Sequence, residues 1–337
     1  ELKELAEKAQ IPVVATLLGI SSFPEDHVLS QKFPGMHGVA WASIALDEAD
    51  LIIAIGSRFD DRITGDTKRF ATRSKKVHIE IDPAEINKNI WVDAPVVGNV
   101  KDVLDQLNPL IKRTTHTAWV RRMDQLKSEH PSLNIRKTNA LLGQHVIKAL
   151  CEVTDGQATI VTGVGQHQMW AAQHYRFSSP NTLITSGGLG TMGFEVPAAM
   201  GVKIARPDGI VWSVAGDGGF QMTMSELATI VENDVQVKFA IMNNNHLGMI
   251  TQWQELFYRS DYQANAYTRN PDFVKLAEAF GLRGIRVDRQ DQVHAAIREA
   301  NSFPGPVLVD FLIETAENVY PMIPSGQSVA ELIEEPL

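Results

Sequence analysis

Short continuous apolar runs, separated by segments with helical spacing, dominate this chain. In the first third, residues 11–17 run towards Gly19, residues 51–55 end at Gly56, and residues 77–81 end at Asp82-Pro83; residues 39–49 carry helical spacing between them. Later, residues 158–161, 182–185, 210–215, 237–242 and 307–312 form strand-like runs, and residues 141–151, 224–231 and 272–280 alternate with them as helices. Short buried runs between helices predict parallel sheets covered on both faces. The fold class is therefore α/β, as two doubly wound parallel-sheet domains. Residues 109–140, charged and helical over 119–129 with Pro131 as a stop, read as the linker between a first domain at 1–108 and a second at 141–315. Residues 316–337, rich in Pro, Ser and Glu, read as an irregular tail.

The sharpest chemistry sits where two of these runs end. The run at 210–215 drives into Gly216-Asp217-Gly218, and the run at 237–242 into Asn243-Asn244. In a parallel sheet, ligands gather at the carboxyl ends of the strands, so Asp217 and Asn244 are expected to converge. Two oxygen ligands, glycine amides and a following helix start suit Mg²⁺ bridging a diphosphate. A second glycine turn, Gly163-Val164-Gly165, runs into Gln166-His167-Gln168 and makes another anion cradle. Gly188-Leu189-Gly190-Thr191-Met192-Gly193 satisfies G-x-G-x-x-G, but a dinucleotide site also wants an acid at the end of the next strand. The nearest acid, Asp208, lies in the turn Arg206-Pro207-Asp208-Gly209 before a strand, so that reading fails.

Composition narrows the classes without choosing among them. A length of 337 residues allows two domains, and 44% hydrophobic with 21% charged residues is ordinary for a globular protein. A formal net charge of -9 argues against a nucleic-acid partner. The single Cys151 excludes an internal disulfide and a cysteine-rich metal site, as expected in a reducing compartment. No apolar stretch approaches the ~20 residues that span a bilayer. The chain begins without methionine, inside a helical repeat (Leu2, Leu5, Ala6, Ala9), and reads as cut within a domain.

Four stretches, Gly-Val-Gly-Gln-His-Gln-Met-Trp-Ala-Ala-Gln (163–173), Ser-Gly-Gly-Leu-Gly-Thr-Met-Gly-Phe (186–194), Gly-Asp-Gly-Gly-Phe (216–220) and Asn-Asn-Asn-His-Leu-Gly-Met-Ile (243–250), resemble the catalytic large subunit of the acetolactate synthase (acetohydroxyacid synthase) family of thiamine diphosphate enzymes. The likeness continues through Phe-Pro-Gly-Met-His-Gly (33–38), Gly-Ser-Arg-Phe-Asp-Asp-Arg (56–62) and Ile-Asp-Pro-Ala-Glu-Ile (81–86), and so covers essentially the whole chain. The resemblance assigns Mg²⁺ to Asp217, Asn244 and the backbone carbonyl of His246. It assigns the diphosphate to Gln166, His167, Gly218, Gly219, Gly248 and Met249, and the aminopyrimidine and the bend of the cofactor to Gly190 and Met192. A polarizable, adaptable Met192 suits the role of an apolar prop over which the cofactor folds. Trp253 is implied to line the mouth of the site and to favour 2-oxobutyrate, which makes Gln166, Met192 and Trp253 the residues nearest the chemistry.

In the first domain the resemblance implies an FAD site lined by Thr16, Leu17, Gly35, Met36, His37, Gly56, Arg58, Asp60, Arg62, Glu80, Ile81, Asp82, Glu85 and Ile86. Arg58 and Arg62 at a strand end suit a pyrophosphate. Asn99, where the family commonly carries an acid, is a departure that puts one adenosine contact in doubt. The family's activating glutamate lies in an amino-terminal domain to which no residue here maps, and neither Glu195 nor Glu226 is placed to replace it. The chain alone is therefore expected to be inactive.

The implied activity joins the two-carbon unit left by decarboxylation of pyruvate to a second 2-oxo acid, pyruvate or 2-oxobutyrate, in branched-chain amino acid biosynthesis, with FAD as a structural group. The implied partners are a second copy, as homodimer or tetramer, and a small regulatory subunit, with no nucleic acid and no membrane; the implied setting is the cytoplasm, or a plastid. Two rivals stay open on the residues alone: another thiamine diphosphate enzyme of the pyruvate oxidase or glyoxylate carboligase type, and a non-catalytic nucleotide-binding remnant.

Overall fold

The computed structural model describes residues 1–334; the last three positions of the expected tail lie outside the described residues. Contacts divide the chain into one unit of residues 1–134 and 320–337 and another of residues 135–319. The division thus falls inside the segment read as a linker, and the chain joins the first unit again at Tyr320.

The first unit opens with α1 (Leu2–Ala9), followed by α2 (Ala40–Glu48), β1 (Leu51–Ile55), the single turn α3 (Asp61–Thr64), β2 (Lys75–Glu80), β3 (Ala94–Val97), α4 (Val100–Leu107) and α5 (Thr117–Glu129). Its three strands are parallel in the order β1-β2-β3, with Ile53 opposite Val77 and Ile79 opposite Val96. Leu5, Ile79 and Leu104 are buried together at its centre. The expected strand at 11–17 forms only a bridge between Val13 and Ser30, and residues 17–19 are a 3-10 turn. The charged segment 117–129 is not a free linker: Met123 and Leu126 pack with Trp41, Ala42 and Ala45 of α2. Asn99, the departure from the family, has a local use, since its Oδ1 accepts the Lys101 amide at 2.9 Å and caps α4.

The second unit runs α6 (Gly143–Val153), β4 (Thr159–Thr162), α7 (Gln166–His174), β5 (Leu183–Thr185), α8 (Glu195–Ala205), β6 (Val211–Gly216), α9 (Asp217–Gln221), α10 (Leu227–Glu232), β7 (Lys238–Asn243), α11 (Gly248–Phe257), α12 (Phe273–Phe280), β8 (Arg283–Val287), α13 (Gln290–Ser302) and β9 (Val307–Leu312). All six strands are parallel, in the order β5-β4-β6-β7-β9-β8. The helix expected over 224–231 is shorter, a 3-10 turn at Met224–Glu226 leading into α10. Phe220 meets Phe239 and Phe273 edge-to-face, its centroid 5.9 Å from each, inside a core that also buries Val161, Val211, Leu227 and Ile230. Asp272 caps α12 and Gly281, with φ at 90°, ends it in the left-handed region.

The strand order decides where a ligand can sit. The chain leaves β4 for β5 on one side, then returns to place β6 on the other side of β4. Adjacent crossovers therefore diverge above β4 and β6, opening a crevice at their carboxyl ends. Gly163 follows β4 and Asp217 follows β6 directly at that crevice.

Candidate active site

The segments singled out in the second unit do converge there. Asp217, at the start of α9, is 1% exposed, and burial pushes its carboxyl up to about 6, opposed first by the hydrogen bond from Asn270. Asn270 Nδ2 donates to Asp217 Oδ2 at 2.6 Å and lies 3.2 Å from Asn243 Oδ1 and 3.3 Å from Asn245 Oδ1. Asn244, just past β7, is buried; its Oδ1 accepts the His246 amide at 3.1 Å and its carbonyl accepts Thr315 Oγ1 at 3.1 Å. Asn245, with φ at 58°, turns the chain so that His246 follows close to its neighbours.

Gln166 begins α7 and ties the turn to the rest of the unit. Its Nε2 donates to the Glu317 carbonyl at 2.9 Å and to Gln252 Oε1 at 3.2 Å, while its Oε1 faces Asn244 Nδ2 at 3.5 Å. Gln252, fully buried on α11, in turn bonds both the amide and the carbonyl of Val319. His167 lies in the same crevice with its Nε2 buried and without a partner; burial pushes it down to about 3, so the ring is neutral. Its ring rests against the ends of β4 and β6, since a Cβ on Gly216 would come within 3.0 Å of Nδ1 and one on Gly165 within 3.1 Å.

Three glycines are required by close approach. A Cβ on Gly218 would collide with Tyr267 Oη and stand 2.7 Å from Leu247 Cδ2. One on Gly248 would run into Gln166 Oε1 and stand 2.9 Å from Asn244 Nδ2. Gly193, with φ at 83°, brings the 188–193 loop beside Gly219, its carbonyl accepting Thr223 Oγ1 at 2.7 Å. In that loop Gly190 also has a positive φ and lies beyond Val164; Met192 is half-buried, and Leu189 is 97% exposed. Met249 and Trp253 are half-buried on α11, and Trp253 stacks edge-to-face on Phe257 at 5.3 Å. Gly248→Ala is therefore expected to cost at least about 10-fold in thiamine diphosphate affinity, by displacing Gln166 from a well-packed site; a calorimetric titration matching the parent would refute the close approach.

Of the residues expected around FAD, Gly56, Arg58, Asp60 and Arg62 follow β1, while Glu80, Ile81, Asp82, Glu85 and Ile86 close or follow β2. Gly56 follows β1 with φ at 59° and open space where a Cβ would stand. Gly35, Met36 and Arg62 meet, Met36 N bonding Arg62 O at 2.7 Å, and His37 beside them is pushed down to about 4 by burial and then by the Arg62 charge. Thr16 precedes the 3-10 turn that contains Leu17. The acids serve the local backbone: Asp60 accepts from Arg62 N at 3.1 Å, Glu80 Oε1 from Ile81 N at 2.8 Å and Asp82 N at 3.1 Å, and Asp82 from Ala84 N at 2.9 Å. Arg58 stands 3.5 Å from Asp60, Glu85 pairs with Lys88 at 2.7 Å, Ile81 is exposed, and Ile86 packs against the cluster of Ala54, Phe59, Ile90 and Val92.

Two family models match this arrangement: the thiamine pyrophosphate enzyme central domain over residues 1–107, and the C-terminal thiamine pyrophosphate binding domain over residues 163–311. The chain belongs to the thiamine pyrophosphate enzyme family. Within it the chain is a homologue of acetolactate synthase catalytic subunits. It is 44% identical over 344 residues to the acetolactate synthase of Mycobacterium leprae, covering 98% of this chain and 55% of that protein. It is 44% identical to the acetolactate synthase large subunit of Mycobacterium tuberculosis, over 98% of this chain and 56% of that one, and 43% identical to acetolactate synthase 1, chloroplastic, of Oryza sativa, over 99% and 54%. The chain spans about half the length of the curated relatives it matches.

The donor chemistry of this crevice fits thiamine diphosphate (thiamine pyrophosphate) and Mg²⁺. The buried, partnerless His167 Nε2 suits a phosphate oxygen. Among the described residues no group of three His, Cys, Asp or Glu is placed to hold a metal. A set of one carboxylate, one amide oxygen and one backbone carbonyl is the oxygen chemistry of Mg²⁺ instead. Asn270, Gln252 and Tyr267 went unnoticed in the sequence: each comes from outside the glycine motifs, and only its isolated polar character within a loop or helix marked it.

Proposed function

We propose that the protein to which this chain belongs is an acetolactate synthase, joining the two-carbon unit of pyruvate to a second 2-oxo acid, pyruvate or 2-oxobutyrate. The observation that carries the reading is the convergence of Asp217 and Asn244 with the partnerless His167 at the β4–β6 crevice, in a chain that resembles acetolactate synthases along nearly all its length. Bound thiamine diphosphate would supply the electron sink for loss of carbon dioxide and for the new carbon–carbon bond. Asp217, Asn244 and the His246 carbonyl would hold Mg²⁺, and His167, Gln166, Gly218, Gly219, Gly248 and Met249 the diphosphate. Met192, on a loop pinned by the bond from Thr191 N to Ser186 Oγ at 2.9 Å, would prop the folded cofactor.

FAD would occupy the first unit as a structural group, and association into a homodimer with a small regulatory subunit would complete the enzyme. The exposed Leu189 on the candidate cofactor loop favours such a covering partner.

Product analysis of the full-length protein tests the reading. Acetolactate from pyruvate, and acetohydroxybutyrate when 2-oxobutyrate is added, are expected; oxidation of pyruvate to an acetyl product with hydrogen peroxide would overturn it. The two acceptors differ by one methylene, a difference worth ~1–3 kcal/mol in an apolar pocket. Trp253→Leu is accordingly expected to lower the acetohydroxybutyrate share at least several-fold in competition, while acetolactate formation survives. An unchanged product ratio would make Trp253 a packing residue for Phe257 alone.

A further inference from the structure

Glu195 is the first residue of α8 and is completely buried, yet neither of its carboxyl oxygens has a hydrogen-bond partner. The carboxyl lies between the two glycine turns of the crevice. A Cβ on Gly163 would collide with it, and one on Gly219 would come within 3.1 Å of Oε1. Glycine at both positions thus makes the room that this side chain fills. The same two turns carry Gln166, His167, Gly218 and Gly219, four of the groups proposed to face the diphosphate.

An ionised carboxylate in such a place would lack water and any well-formed hydrogen bond, with only the amides of Glu195 and Gly193 nearby, and proteins neutralise the group rather than bear that cost. Burial pushes Glu195 up to about 7, opposed only in part by the amides of Glu195 and Gly193. The surrounding elements bring no cation to offset a negative charge. β4 and β6, on which α8 packs, carry no ionisable side chain. The Met224–Glu226 turn brings Glu226, α9 brings Asp217, and α7 brings His167, which is neutral, and His174 in its last turn. Lys203, on α8 itself, is occupied with the Gly209 carbonyl at 2.8 Å.

We propose that Glu195 is a proton-carrying wall of the diphosphate cradle, a positioning residue that must be a neutral carboxylic acid for the diphosphate to seat, so that cofactor binding takes up one proton from solvent at its carboxyl. The inference rests on the diphosphate site proposed above. The cause is like-charge repulsion across a desolvated wall, and the remedy is transfer of a proton to a Glu195 oxygen.

The test is calorimetric titration of the full chain with thiamine diphosphate at saturating Mg²⁺, from pH 6.5 to 9, in two buffers of different ionisation heat. With the parent chain, affinity is expected to fall above neutrality by up to ~10-fold per pH unit, the limit for one linked proton, with proton uptake rising towards one. In Glu195→Gln both effects should vanish relative to the parent, any protonation of the cofactor itself being common to the two. Glu195→Met, neutral and of similar volume, should behave likewise and carries the test if the buried amide prevents folding. Equal slopes and equal uptake in the parent and either folded variant would overturn the role of Glu195. No binding by the parent at any pH would overturn the diphosphate site itself, and the proposal with it.

Discussion

Asp217→Ala is expected to abolish Mg²⁺-dependent binding of thiamine diphosphate, with at least about a 100-fold loss of affinity where Mg²⁺ saturates the parent protein. Hard cations such as Mg²⁺ depend on anionic oxygen, and Asp217 is the one carboxylate in the proposed metal set. Its neighbours add amide and carbonyl dipoles but no charge: Asn270 Nδ2 at 2.6 Å, Asn244 Oδ1 facing the His246 amide, and the neutral His167. The carboxylate is buried, so its removal leaves no water-filled surface to relax into. Asn270→Ala should cost less, roughly 10-fold, because it frees an oxygen of Asp217 without removing the charge. Calorimetric titration with and without Mg²⁺ measures both. Equal affinity for Asp217→Ala and the parent would sink the metal assignment, while a loss confined to Asn270→Ala would move the metal elsewhere along the asparagine cluster.

The largest effect on stability is expected from Asp310→Ala. Asp310 sits on β9 at 1% exposure, accepts Asn243 Nδ2 at 2.9 Å and pairs with Arg286 at 3.2 Å. Removing it strands a buried amide and one side of a guanidinium, a loss of roughly 3 kcal/mol for a broken buried pair. Arg286 is partly exposed and keeps Asp272 at 2.6 Å, which holds the loss to the low end of such cases. For a unit of this size that loss is a fall in Tm of about 6–12 °C. The change should also reach the crevice, because Asn243 Oδ1 is one of the groups that Asn270 touches while holding Asp217. Thermal denaturation followed by far-ultraviolet circular dichroism checks the first effect and thiamine diphosphate titration the second. A fall of less than about 2 °C would show that Arg286 and Asn243 find other partners at no cost.

Much of the second unit was legible because its central parallel strands are buried on both faces. The runs that became β4, β6, β7 and β9 are nearly continuous in apolar residues, and those of β4, β6 and β7 lead into glycine, aspartate or asparagine, which is how such strands read. The misses have a common cause. β3 and β8 lie at sheet edges, with mixed exposure along their length, so neither alternation nor a continuous run marks them. α13, with polar residues over most of its surface, hides its few buried positions Val293, Ala296, Ile297 and Ala300. The supposed strand at 11–17 is apolar because its residues are half-buried in irregular structure, and one bridge is all the pairing it achieves.

By itself, the sequence determined which turns are candidates for the chemistry. Gly163–Gly165, Gly216–Gly219 and Asn243–Gly248 are local devices, and a glycine beside a polar residue at the end of an apolar run has the same meaning wherever the strand is placed. What only the tertiary structure decided is which turns meet and what else reaches them. The order β5-β4-β6-β7 puts the ends of β4 and β6 side by side and so opens the crevice. Folding brings Asn270 across 53 positions to Asp217, threads Gln252 to Val319, and shuts the Glu195 carboxyl between Gly163 and Gly219. Those contacts join residues far apart in the chain, and their energies depend on burial and on the absence of competing water. No local pattern records either quantity.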